Sequence, residues 1–158
     1  MKIDDVIDRL VEKFSAEAAL ADILTYHKVN GMLPDIGVSA SVGCSKVKYT
    51  GYTNSKDQAD ADVNIYVYTQ EPDPEHGEQV IRGLAEAIRY VLTEDWTLGG
   101  ILAASSIEEI EYIYADADET TVLHAAVVKY KPTFYQDRMR PQEQIPVETI
   151  NYDIGKDE

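Results

Sequence analysis

Cysteine is nearly missing from this sequence: Cys44 stands alone among 158 residues. One thiol can close no intrachain disulfide and build no cysteine-rich zinc site. Its ordinary place is as a small residue within a strand. Basic residues are scarce too, 14 Lys and Arg against 29 Asp and Glu, for a formal net charge of −15. That balance argues against a surface that holds DNA or RNA by neutralising phosphates, so no sequence-specific nucleic-acid partner is expected. It argues equally against an anionic membrane as partner. No apolar run reaches the length that spans a bilayer. Met1-Lys2-Ile3-Asp4-Asp5 places acids where a secretory signal has cations and an apolar core, so synthesis and residence in a cytosol are the default expectation. Internal repeats and low-complexity tracts are lacking, and the length reads most simply as one domain.

Recognisable catalytic patterns are equally thin. His27, His76 and His124 fall on different expected elements, with no serine elbow or cysteine to make a nucleophile pair. Leu98-Gly99-Gly100-Ile101 is too short for a phosphate loop and lacks its lysine. His76-Gly77-Glu78 matches half of a zinc deaminase signature whose cysteine half is absent. Asp60, Asp62, Asn64 and Glu71 have calcium-loop spacing, but Ile65 occupies the position where that loop needs glycine for its turn. Asp116, Asp118 and Glu119 could gather a cation, although an acidic hairpin tip is usually a solvated turn. No catalytic, cofactor or metal residue is assigned.

What is present is a scaffold. Ile3, Val6, Ile7, Leu10, Val11 and Phe14 recur at helical spacing. Ser15 then reads as the cap of a second helix over the alanine-rich run, with Leu20, Ile23 and Leu24 inward. A strand is expected from Ile36 to Thr50, its apolar residues Ile36, Val38, Ala40 and Val42 alternating until Gly43, which suggests a bulge or bend. Gly51–Gln58 reads as a mobile polar loop. Ala61–Thr69 follows as a strand with Val63, Ile65 and Val67 on one face and Asp62, Asn64, Tyr66 and Tyr68 on the other. Glu78–Leu92 forms the most regular helix, with Val80, Ile81, Leu84, Ile88, Val91 and Leu92 along one side.

Two long strands are expected next, Ile107–Ala115 and Thr120–Tyr130, joined by an acidic turn. Val122, Leu123, Ala125, Ala126, Val127 and Val128 do not alternate, which calls for cover on both faces: a helix on one, a second copy of the protein on the other. The domain is set at residues 1–131. Residues 132–158, punctuated by Pro132, Pro141 and Pro146, read as an extended arm that adds as a strand to a neighbour. Two readings stand for the paired tyrosines Tyr66/Tyr68 and Tyr112/Tyr114: core residues with surface hydroxyls, or a contact surface. The candidate subunit-interface residues are Tyr112, Tyr114, Val127 and Tyr130 on the long strands, and Val147, Ile150 and Tyr152 on the arm.

The order of helix Gly83-Leu84-Ala85-Glu86-Ala87-Ile88-Arg89-Tyr90-Val91-Leu92, then Asp95-Trp96-Thr97-Leu98-Gly99-Gly100, then Ile107–Tyr114 and the strand ending Val127-Val128-Lys129-Tyr130 resembles the phage tail-terminator (tail-completion) family. The resemblance runs over residues 1–135 and has no counterpart for Asp57–Asp62 or for the arm. It implies an α+β subunit, a mostly antiparallel sheet with helices packed on one face, assembling as a ring, typically a hexamer. Such a ring caps the tail tube, so the implied partners are further copies of the chain, the tail-tube protein and the head–tail connector protein. The implied location is the virion tail, assembled in the host bacterial cytoplasm. The acidic balance suits a lumen through which DNA slides without sticking. Other head–tail connector or minor capsid proteins share much of this pattern, and a small ligand-binding or enzymatic α+β domain is the alternative of another class.

Overall fold

A computed structural model describes residues 1–117 and 120–138. Helix α1 (Ile3–Ala16) buries Val6, Ile7, Leu10 and Phe14, the stripe its sequence spacing predicts. Ser15 caps nothing. Its hydroxyl donates to the Val11 carbonyl at 2.8 Å, inside the last turn of α1. Extended Glu17 then breaks the helix, and the expected second helix shrinks to the 3-10 turn Ala18–Leu20. Leu20 and Ile23 are buried as expected, but Leu24 is 71% exposed. Its N–H already donates to the Val38 carbonyl, so the chain has left helical geometry there.

A short strand β1 (Thr25–His27) follows, unmarked by any sequence period. Beyond it come β2 (Ser39–Gly51), β3 (Lys56–Glu71), helix α2 (Pro74–Glu94), β4 (Ala104–Asp116) and β5 (Val122–Asp137). The five strands form one sheet in the order β1-β2-β3-β5-β4, antiparallel at every junction except β1–β2. The fold class is therefore α+β, as the resemblance implies. Helix α2 starts four residues before Glu78 because Pro74 opens its first turn and the Asp73 carboxylate accepts from the Glu75 and His76 amides.

Both helices pack on one face of the sheet. Their inward side chains join Ala40, Val42, Ala59, Ala61, Val63, Ile65, Val67, Ala126, Val128, Tyr130 and Phe134 in a single core. β2 begins at Ser39, and Ile36 is left 94% exposed, because Gly37 (φ +81°) turns the chain just before the strand. The inward residues of β2 then change parity, from Ala40 and Val42 to Val47, and a change of parity requires one extra residue. That bulge lies at Ser45, between Cys44 and Lys46. Gly43, two residues earlier, has a different duty. A Cβ there would sit 2.3–2.6 Å from Asn30, so only glycine admits this close approach.

Asn30 belongs to the segment from Lys28 to Ile36, which folds over the opposite face. Its side-chain oxygen accepts from Asn64 Nδ2 (3.1 Å) and the Tyr66 hydroxyl (3.2 Å), and the Leu33 amide donates to the Tyr68 hydroxyl (3.0 Å). Ser39, Ser41 and Tyr68 are buried beneath it. On β5, Ala125 and Val127 also face this way, each opposite larger residues: Tyr68 and Ile113 for Ala125, Tyr66 and Glu111 for Val127. Both are buried within the subunit. The two-sided apolar run of β5 thus comes from its central place in the sheet, and the subunit itself covers it without the second copy that the sequence suggested.

The expected boundary at Lys131 also moves. β5 continues to Asp137, with Phe134 fully buried. Pro132 is tolerated inside it because the β3–β5 ladder lapses there, pairing Val63 with Tyr130 and resuming at Asp60 with Thr133. Alongside that gap lie the Ser45 bulge in β2 and a second bulge in β4 between Ile107 and Glu109. Val147, Ile150 and Tyr152 lie outside the described residues.

Candidate assembly surface

Of the four interface candidates on the long strands, two are internal. Tyr130 is 1% exposed and packed under the helices, where burial pushes its phenol up to about 12. Val127 is 4% exposed. Neither presents surface to another chain in this fold. Tyr112 is half-buried against the core, and burial, followed by the nearby Glu86, raises its phenol. Tyr114 is the exposed member, at 51%, with its ring edge-on to His124 at a centroid distance of 5.9 Å. Of the paired tyrosines Tyr68 is buried, its hydroxyl enclosed against Leu33 and Ser41 rather than at the surface, whereas Tyr49, Tyr52, Tyr90 and Tyr114 keep large exposed rings.

The residues spaced like a calcium loop do not form a loop. Asp60, Asp62 and Asn64 lie at alternate positions of strand β3, and Glu71 is at its far end. Asp60 accepts from the Thr133 hydroxyl at 2.6 Å, and Asp62 from Lys131 Nζ at 2.6 Å. Lys131 holds the Asp62 carboxyl below the usual carboxylate range, and Asp62 in turn raises the Lys131 ammonium. His27 Nε2 meets Asp35 Oδ2 at 2.5 Å, while His124 is buried against Gly77 of α2. Among the described residues no group of three or more His, Cys, Asp and Glu side chains is gathered as a metal site.

The face of the sheet away from the helices carries a feature the sequence reading passed over. Each of the four long strands contributes two like charges spaced two apart: Lys46 and Lys48 on β2, Asp60 and Asp62 on β3, Lys129 and Lys131 on β5, Glu109 and Glu111 on β4. Register places all eight on the same face as Asn64 and Tyr66: Lys46 pairs with Asp62, Lys48 with Asp60, Lys129 with Asn64 and Glu109, and Glu111 with Val127. In sheet order the signs run plus, minus, plus, minus. Every junction between these strands is bridged: Lys46–Asp62 at 3.7 Å, Lys131–Asp62 at 2.6 Å, Lys129–Glu111 at 3.9 Å, and Lys131 to Glu108 of the β4 bulge at 3.5 Å. The signal was in the sequence as four same-sign i, i+2 pairs, but calcium-loop spacing drew Asp60 and Asp62 into a different pattern.

At one end of this face the β2–β3 hairpin is fastened to the end of β5. Arg138 pairs with Asp57 at 2.8 Å, donates to the Asn54 carbonyl at 3.0 Å, and its amide donates to the Ser55 carbonyl. Tyr52 stacks on Tyr135 at 4.3 Å, and Lys56 pairs with Asp137 at 3.0 Å. The expected mobile loop Gly51–Gln58 is thereby reduced to Tyr52–Ser55, since Lys56, Asp57 and Gln58 are already strand.

No family model matches the sequence, and no curated protein sequence matches it. A solved structure does share the fold. It is a chain of the virion of a native gene transfer agent particle, 13% identical, with a TM-score of 0.52 over 83% of this chain and 95% of that one.

Proposed function

We propose that this chain is a structural subunit of a phage-like particle, acting by assembly rather than catalysis, and within that class a tail terminator. In this role copies close into a ring, a hexamer, that caps the tail tube and meets the head-side connector in the virion tail after assembly in the host bacterial cytoplasm. The observation that carries the class is the fold shared with nearly the whole of a chain from a gene transfer agent virion. The order of α1, α2 and the β4–β5 hairpin supports the narrower role, because it is the order on which the tail-terminator resemblance rests. A net charge of −15 supports a lumen that repels DNA phosphates. Among the described residues no helix is long and apolar enough to cross a membrane.

The test is attachment. Tail tubes of the same particle, incubated with the purified chain, should acquire a ring at one end and should then join heads. Tubes that stay bare while the chain binds the connector or capsid instead would move it to another head–tail role within the same class.

A further inference from the structure

We propose that copies of this chain join head to tail through the two free flanks of the sheet, with Lys46 and Lys48 of β2 in one copy set against Glu109 and Glu111 of β4 in the next. This inference rests on the ring reading and names its interface. Among the described residues, β2 has a sheet neighbour on one side alone beyond its pairing with β1 at Ser39–Ser41, and β4 pairs only with β5. The open flanks are thus a basic strand at one side of the sheet and an acidic strand at the other, and all four charged side chains are exposed.

The occupant follows from the sign sequence. Within one copy the strands read plus, minus, plus, minus, with an ion pair across every junction. A second copy placed beside β4 by the same operation presents β2, a plus strand, and continues the series. Two β4 strands or two β2 strands would set like charges opposite each other, which is destabilising on a sheet. The complementarity therefore selects a heterologous contact over a two-fold one, and a heterologous contact gives a ring when its rotation closes and an open filament when it does not.

Sheet geometry permits the match. Within the subunit Ala104 shares a row with Thr133, Asp60 and Lys48. Bringing Glu109 opposite Lys48 and Glu111 opposite Lys46 takes a stagger of about five residues, and closed sheets of tilted strands require a stagger of this kind. The same shift moves most of β4 along β2 clear of its pairing with β1, leaving only the Ala115–Asp116 end level with Ser41. Exposed ion pairs add little affinity, so these charges fix partner and register while the surrounding contact supplies the binding.

Charge exchange tests this. K46E/K48E makes both flanks acidic and E109K/E111K makes both basic. Self-association, followed by sedimentation velocity with and without tail tubes, should weaken roughly tenfold or more in each variant, with circular dichroism unchanged. An equimolar mixture of the two should recover assembly as alternating copies, even though each retains its internal repulsions, so recovery isolates the contact between chains. Reversed variants that assemble as well as the unaltered chain, or a mixture that fails to recover, would overturn the interface and leave the ring standing. An unaltered chain that associates neither alone nor on tubes overturns the ring and the interface together.

Discussion

Gly43 is the residue where backbone and side-chain constraints meet most sharply. Asn30 crosses so close to it that a methyl group has no room, and the contact holds the Lys28–Ile36 segment over Ser41 and Tyr68. Gly43→Ala should therefore cost about 1–3 kcal/mol, read as a lower urea midpoint with an unchanged slope. The pair Asp62–Lys131 sets a pH dependence. A carboxylate with a depressed folded pKa contributes stability above its unfolded value, about 3.9, and loses it as pH falls through the folded value. Asp62→Asn should accordingly destabilise the subunit at pH 7, and the difference from the unaltered chain should shrink progressively as the pH falls below about 3.9. A difference that persists in acid would mean that Asp62 contributes packing rather than charge.

Elements divide by how local their causes are. The faces of α1 and α2 were legible because their apolar spacing is set within single helices, as was the alternation Val63, Ile65, Val67 in β3. The parity change in β2 is legible too, but its position at Ser45 rather than Gly43 is not, because the constraint on Gly43 comes from Asn30, thirteen positions away in sequence and in contact only once folded. β1 has three residues and no period, so nothing local announces it. Pro132 misled for a related reason: proline is excluded from a paired strand, but the ladder lapse that accommodates it belongs to β3 and β5 together. Consequently, truncation after Lys131 should lower the melting temperature strongly, since it strips Phe134 from the core, a change of about 3–5 kcal/mol by analogy with large-to-small substitution. Truncation after Arg138 keeps every described strand and Phe134, and should melt well above the chain cut after Lys131. At the hairpin tip, Arg138→Ala should speed amide exchange at Ser55–Gln58 while the core amides of β3 keep their protection, because exposed ion pairs contribute locally and weakly.

For the whole molecule the sheet is the organising unit, with helices on one face, a ribbon of alternating charge on the other, and two flanks of opposite sign left open among the described residues. The charge ribbon was written in the sequence at i, i+2, but its meaning needed the strand order, which no local pattern supplies. The acidic balance extends to function: the chain should fail to retain duplex DNA even at low salt, where basic proteins bind most tightly. The central claim, that this subunit closes into a ring at a tail end, is tested most directly by electron microscopy of tail tubes incubated with the purified chain. A closed six-fold ring seated on one end of each tube is the expected result. Bare tube ends beside a chain that remains monomeric would contradict it.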